Sequence, residues 1–342
     1  MGVFFIAEAG VNHNGDLGLA ERLVDIAADA GADAVKFQTF KASTTVSLNA
    51  PTVAYQARTT AETDQYRLLE RLELDATAHE RLIARAQQRG IEFMSTAFDP
   101  ASADFLFECG VSRMKIPSGE VTNIPFLRKL ASYGLPLILS TGMATLDEVR
   151  EAVQAIADTR RKEGSEEPLA DKLSILHCTS AYPTPSDQLN LLAIRTLAET
   201  FACPVGYSDH AESAMAAPMA VALGAMIYEK HFTIDRKLPG PDHAASLEPA
   251  DLTRMVAEVR LAEKMLGDGI KAPQLCEMEA IDLVRRGLFA NRGLRAGATI
   301  TADDIAILRP SGSLAPRYYD ALVGLLLKRD VAAGEAFVPD DL

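Results

Sequence analysis

The chain has 342 residues, 48% of them hydrophobic and 24% charged, with 34 Lys and Arg against 47 Asp and Glu for a net charge of −13. This length suits one large domain plus a small one, and the composition excludes a disordered, collagen-like or coiled-coil chain. The acidity argues against nucleic acid or an anionic membrane as partner of the whole molecule, and no apolar run approaches a membrane span. Basic and acidic residues balance from Ile281 to Leu342, so the preceding residues carry the whole excess. Met1–Gly10 lacks the basic start of a signal peptide. Cys109, Cys178, Cys203 and Cys276 follow no CxxC spacing, which reads as reduced thiols in a cytoplasmic protein.

Eight short apolar runs follow one another: Val3–Ala9, Ala34–Thr39, Glu92–Ala97, Arg113–Ile116, Pro136–Ser140, Leu173–Thr179, Pro204–Ser208 and Met226–Phe232. Each reads as a strand buried on both faces. Between them lie segments of helical spacing. In Leu19–Ala30, Leu23, Ile26, Ala27 and Ala30 share a face; Leu82, Ile83 and Ala86 do the same, as do Val149, Val153 and Ile156 after a cap candidate, Thr145. Gly31, Gly90, Gly110, Gly134 and Gly224 stand where these helices would stop. The alternation predicts an α/β fold, a (β/α)8 barrel, with an open doubly wound sheet as the alternative because periodicity does not report closure.

Two segments break the rhythm. Phe40–Asp75 is too long for a βα loop and would emerge at the catalytic end, as a lid or a dimer contact. Gly267–Glu279 has linker composition, which divides the chain into 1–267, a linker over 268–280, and a small β-rich domain over 281–342. That last domain repeats a local pattern, Leu294–Ala298 and Val331–Glu335, and is small enough to lean on another surface.

Chemistry in a barrel belongs at the C-terminal strand ends. There the sequence puts Glu8, Lys36, Gln38, Ser95, Thr96, Lys115, Ser118, Glu120, Ser140, Thr141, Gly142, Tyr182, Asp209, His210, Glu229 and His231. Lys36 and Lys115 sit inside apolar runs, where an unpaired ammonium is costly. They call either for an ion pair with Glu8 or Glu120, or for an anionic ligand cradled with the neighbouring hydroxyls and backbone N–H groups. Of the six histidines, His79 and His243 have helix-surface or loop contexts, and His177 reads as a core histidine. His210 and His231 end adjacent strands and could converge on a divalent cation such as Mn²⁺, with Asp209 and Asp242 as possible further partners.

The runs AEAGVNHNGD (7–16), VKFQTF (35–40), KIPSGE (115–120), LSTGM (139–143), HCTSAYPTP (177–185), GYSDH (206–210), EKHFT (229–233) and PGPDHAASLEP (239–249) resemble the sialic acid synthase family. Its members condense phosphoenolpyruvate with amino sugars to make nonulosonates. RPSGSLAPRYYDALVG (309–324) is similar to the family's C-terminal antifreeze-like (SAF) domain. The resemblance implies a TIM barrel followed by an SAF domain in a domain-swapped homodimer. It implies Mn²⁺, with Mg²⁺ or Co²⁺ as substitutes, on His210 and His231. Phosphoenolpyruvate would lie on Lys36, Lys115, Ser118, Thr96 and Ser140. Gln38, Tyr182 and Asp242 would face the sugar, Glu8 and Glu120 would handle protons, and Arg309 would reach in from the partner.

The expected reaction joins phosphoenolpyruvate, N-acetylmannosamine and water into N-acetylneuraminate and phosphate by C–O cleavage. The nearest rival is the same reaction on 2,4-diacetamido-2,4,6-trideoxymannose, giving N,N'-diacetyllegionaminate, with the pseudaminate branch less well matched. Ser180, where some members have Asn, and Pro117, where Gly is common, depart from the pattern, and Ser180 lies where the sugar is expected. A phosphosugar-using barrel relative would not explain the SAF tail. A non-catalytic carbohydrate-binding homologue would have lost some of Glu8, Lys36, Lys115, Glu120, His210 and His231, and all six are present.

Overall fold

The computed structural model of the chain describes residues 2–47, 64–312 and 314–342. Residues 48–63, the middle of the segment expected to act as a lid or dimer contact, lie outside them. The chain forms two compact units, Met1–Gly267 and Asp268–Leu342.

In the first unit, strands β1 (Phe4–Gly10), β2 (Ala34–Thr39), β3 (Glu92–Ala97), β4 (Met114–Ile116), β5 (Leu137–Ser140), β6 (Leu173–Cys178), β7 (Val205–Asp209) and β8 (Ile227–His231) are parallel. They close in sequence order, with β8 paired back to β1. The barrel alternative is therefore the one realised. Helices α1 (Leu17–Asp29), α2 (Ala76–Arg89), α3 (Pro100–Glu108), α4 (Ile124–Ser132), α5 (Leu146–Lys162), α6 (Ala193–Phe201), α7 (Ala216–Ala222) and α8 (Pro249–Leu266) follow the strands in turn. The first five start on Asp16, Asp75, Asp99, Asn123 and Thr145, each accepting a backbone N–H of the first turn. Such caps fix where the helix begins, and so how long each catalytic-end loop is.

Side chains alternate along each strand between the helix layer and the barrel interior. The interior is closed at one level by Ile6, Ala34, Met94, Ile138, Leu176 and Ile227, with Phe4 against them. Two residues further along the same six strands stand Glu8, Lys36, Thr96, Ser140, Cys178 and Glu229. An apolar floor thus carries a polar layer directly above it, by parity alone. Gly206 of β7 belongs to the floor, and a Cβ there would fall 2.4 Å from the Ile227 carbonyl and 2.5 Å from Leu176 Cδ2. Among the described residues, no helix is long and apolar enough to cross a membrane.

In the second unit, β9 (Gly287–Ala290) and β10 (Ile305–Leu308) pair antiparallel. The two similar segments noted in the sequence meet there, with Leu294 bridged to Val331. Each is followed by a short turn whose buried aspartate, Asp304 or Asp341, accepts the backbone N–H of the residue opening it. Leu288, Ile300, Ile305, Leu322, Val331 and Phe337 pack into a core of the unit's own. A unit of this size was expected to be too small for a generous core, and the repeat supplies the one it has by letting its two halves bury each other's apolar residues. The 268–280 linker also carries a 3₁₀ turn (Leu275–Glu277) and the start of a helix (Met278–Val284).

Gly206→Ala is expected to lower the urea-unfolding free energy by about 1–3 kcal/mol, the usual range for overpacking a filled core. A loss below about 0.5 kcal/mol would mean that the floor is not tightly packed.

Candidate active site

Above the floor, four ionisable side chains meet. Lys36 Nζ lies 2.6 Å from Glu8 Oε2 and 3.6 Å from Glu229 Oε2. Lys115 Nζ lies 3.5 Å from Glu229 Oε1. All four are buried. Hydroxyls complete the layer: Lys36 donates to Thr96 Oγ1 (3.0 Å), Lys115 to Ser140 Oγ (2.7 Å), and Ser208 Oγ to Glu229 Oε1 (2.9 Å). The ion-pair reading of the lysines is realised, and it leaves them at the base of an open cavity of about 390 Å³. Both lysines therefore also stand where an anionic ligand could reach them.

The two carboxyls behave differently. Burial raises Glu8 to about 7, with Lys36 pulling against it and the Glu229 charge adding to the rise. Burial pushes Glu229 up as well, but Lys115 and Lys36, helped by the Ser208 hydroxyl, bring it down to about 2. Burial lowers Lys115, with Glu229 opposing and Lys36 adding to the fall, whereas Glu229 and Glu8 together lift Lys36 despite its burial. With Glu8 protonated, the four groups carry a net positive charge, which suits an anion.

Toward the mouth, the rings of His210 and His231 stand 5.6 Å apart, and the Tyr182 ring is 4.2 Å from that of His210. His210 Nδ1 donates to the Thr179 carbonyl (2.7 Å), which leaves Nε2 with a free lone pair. Burial lowers His210 to about 4, the carbonyl bond opposing, and burial with the His210 neighbour lowers His231 far below its ordinary value. His231 Nδ1 is buried without a hydrogen-bond partner. Two neutral imidazoles side by side, one oriented by a carbonyl, are a donor set that fits a divalent cation. Among the described residues no three His, Cys, Asp or Glu side chains form a ready metal cluster, so such an ion would need ligands from substrate or water. Gln38 reaches toward Glu8 (Nε2 to Oε1, 3.5 Å), and Asp242 lines the same cavity.

Ser118 also lines it, accepting from Gly142 N (2.9 Å) and touching Cys178 Sγ (3.0 Å). Glu120, next to the cavity-lining Ser118 and Gly119, is not itself among the lining residues, and Asn123 Nδ2 donates to it at 2.6 Å. Three expectations are corrected. Asp209 faces the helix layer, paired with Lys230 at 2.9 Å and bonded by Tyr228, and so is not a partner of the histidines. His79 is fully buried, between Thr39 and the Asp75 carbonyl, and His243 is fully buried against Thr233. Arg309 is exposed on the second unit, just after β10. Glu229 is the strand-end residue to which the sequence reading gave no role. Its signal is parity, since Glu229 and His231 share one face of β8 while Lys230 takes the other.

The mouth on the β1–β3 side has an apolar wall. Val11, Phe40, Leu68 and Leu72 pack together with Leu69 and Phe98 beside them, and all six line the cavity.

A family model described as the NeuB family matches residues 23–271, and an SAF-domain model matches residues 285–342. The chain is 48% identical to the N,N'-diacetyllegionaminic acid synthase of Legionella pneumophila, over 98% of this chain and 93% of that protein. It is 43% identical to the enzyme of the same name from Campylobacter jejuni, over 96% and 97%. The solved N-acetylneuraminic acid (sialic acid) synthetase of Leptospira borgpetersenii, in complex with citrate, superposes with a TM-score of 0.69 at 37% identity, covering 82% of this chain and 90% of that one.

Burial raises the Asp242 carboxyl from an ordinary 3.8 to about 6. The folded chain then holds more protons than the unfolded one between these values, so stability present below the window is lost as pH rises through it. In chelator, the wild type is expected to lose about 2 kcal/mol relative to Asp242→Asn between pH 4 and 6. Urea unfolding of both proteins at several pH values checks this, and an unchanging difference across the window refutes it.

Proposed function

Because the chain belongs to the NeuB family, the nonulosonic acid synthases, we propose that it condenses phosphoenolpyruvate with 2,4-diacetamido-2,4,6-trideoxymannose and water, giving N,N'-diacetyllegionaminate and phosphate. The observation that carries the chemistry is the buried layer of Lys36 and Lys115 between two carboxyls of opposite protonation preference, beneath a neutral histidine pair. The acceptor rests on the higher identity to the two legionaminic acid synthases than to the solved sialic acid synthetase. The apolar wall at the mouth agrees with it, since a 6-deoxy sugar bearing two acetamido groups presents more methyl surface than N-acetylmannosamine. N-Acetylmannosamine, the acceptor expected from sequence, becomes the second choice.

In this reading Lys36 and Lys115, with Thr96, Ser118 and Ser140, hold the phosphate and carboxylate of phosphoenolpyruvate. Gln38, Tyr182 and Asp242 hold the open-chain sugar above it. His210 and His231 would hold a divalent cation, Mn²⁺ or a close relative, whose chemistry there is Lewis-acid polarisation of a carbonyl. The new bond joins C3 of phosphoenolpyruvate to C1 of the sugar, and the C1 oxygen takes a proton from Glu8. Positive charge at C2 is stabilised by ionised Glu229. Water adds at C2 and gives a proton back to Glu8; the C2–O bond to phosphate then breaks as the C2 hydroxyl becomes the ketone, its proton leaving with the phosphate. A carboxyl near 7 is suited to both transfers at neutral pH. Arg309 is assigned to the sugar's acyl group from a second copy of the chain, in a homodimer.

Phosphate release from phosphoenolpyruvate, measured with each sugar, with and without chelator, tests the proposal. Release is expected with the diacetamido sugar at a kcat/KM roughly tenfold or more above that for N-acetylmannosamine. It should stop in chelator and return with Mn²⁺. The opposite sugar preference would overturn the acceptor, chelator-insensitive turnover would remove the metal role, and no release with any sugar would sink the synthase reading. Glu229→Gln is expected to lower kcat by about 100-fold, in line with losing one preorganised electrostatic group. Unchanged turnover would exclude Glu229 from the reaction.

A further inference from the structure

Asn12, His13 and Asn14, the loop that leaves β1, are strand-end residues that the reaction above does not use. Asn12 is fully buried. Its Nδ2 donates to the Phe232 carbonyl (2.8 Å), one residue past His231, and to Ser246 Oγ (2.9 Å). Ser246 Oγ in turn donates to the Asp242 carbonyl (2.6 Å). Asn14 Nδ2 donates to the Pro239 carbonyl (2.8 Å), and its Oδ1 accepts from His243 Nε2 (3.1 Å), while Thr233 Oγ1 lies 2.6 Å from the other ring nitrogen of His243.

All these partners belong to the segment that follows β8. Its neck is closed where Leu247 N donates to the His231 carbonyl and Thr233 N to the Leu247 carbonyl. Within that closed loop, Asn14 pins Pro239 and His243, and Asn12 pins Asp242 through Ser246. The loop is drawn so close to the clamp that a Cβ on Gly240 would fall 2.5 Å from the His243 ring and 2.7 Å from Asn14 Oδ1. Gly240 also holds a φ of +155, which suits glycine. Pro241 and Asp242 are the members of this loop that line the cavity, whereas the lysine and hydroxyl layer comes mainly from the strands themselves. Slackening the clamp would therefore disturb one side of the site and leave the other in place.

We propose that Asn12 and Asn14 are positioning residues that hold the loop after β8 so that Asp242 meets the acceptor sugar. This rests on the assignment of Asp242 to the sugar given above. Unpairing a buried polar group is costly, so the clamp has leverage even though it touches no substrate.

The test uses full-length Asn12→Ala, Asn14→Gly, Asp242→Asn and the double variant Asn14→Gly/Asp242→Asn. Asn14 already adopts a φ of 52, so glycine removes the amide without straining the backbone, which keeps the test available if Asn12→Ala folds poorly. Each Asn variant is expected to raise the sugar KM about tenfold and to leave the phosphoenolpyruvate KM within about twofold. The double variant should be no worse than Asp242→Asn alone, because residues acting through one another are not additive. Effects that multiply, or an equal rise in both KM values, would overturn the proposal. A sugar KM unmoved by Asp242→Asn would overturn it through its premise. Amide exchange gives a readout independent of turnover: residues 239–246 should exchange faster in Asn14→Gly while the barrel strands do not change. Unaltered exchange in that loop would refute the clamp even if the proposed reaction were correct, and faster exchange in a protein inactive with every sugar would place the failure in the proposed reaction.

Discussion

Two lysines and two glutamates are held at buried positions directly on an apolar floor, and most of what the first unit can do depends on their staying balanced. Closure of the barrel makes the arrangement possible. In a closed sheet the inward side chains of every strand meet their counterparts, so a step of two residues moves from a sealed hydrocarbon layer to a polar one. Removing one partner would leave its neighbour as an uncompensated buried charge, a more severe change than losing the pair. The hydroxyls of Thr96, Ser140 and Ser208 take up hydrogen bonds that the charges cannot satisfy among themselves.

The same layer separates two carboxyls that are chemically identical as free side chains. Glu229 lies within reach of both lysines and accepts from Ser208, so it stays ionised. Glu8 has Lys36 beside it and feels the Glu229 charge, and burial prevails. Position in the layer, more than depth, sets one carboxyl well below the usual carboxylate range and the other above it.

Much of this was legible from residue order. The eight strands fall within a residue or two of their expected bounds, since continuous apolar runs bounded by helix stops leave little freedom. Lys36 and Lys115 stood out because such residues are out of place inside apolar runs, and His210 and His231 because they end adjacent strands. What was illegible depended on contacts distant in sequence. Glu120 belongs to a conspicuous motif, but a single tight turn directs it to Asn123. His79 and His243 look like surface histidines until Thr39 and Asn14 arrive from other elements to bond them. The core of the second unit was underrated because its repeat was noticed as a pattern and not weighed as a way of pairing two halves.

The sealed floor has a consequence for traffic. A barrel plugged by Ile6, Met94, Leu176 and Ile227, with no room beside Gly206 for even a methyl group, is a cul-de-sac. Whatever occupies the charged layer must enter and depart past whatever occupies the mouth. Queueing is therefore built into the shape: the deeper guest arrives first, and anything released at the bottom waits for the doorway to clear.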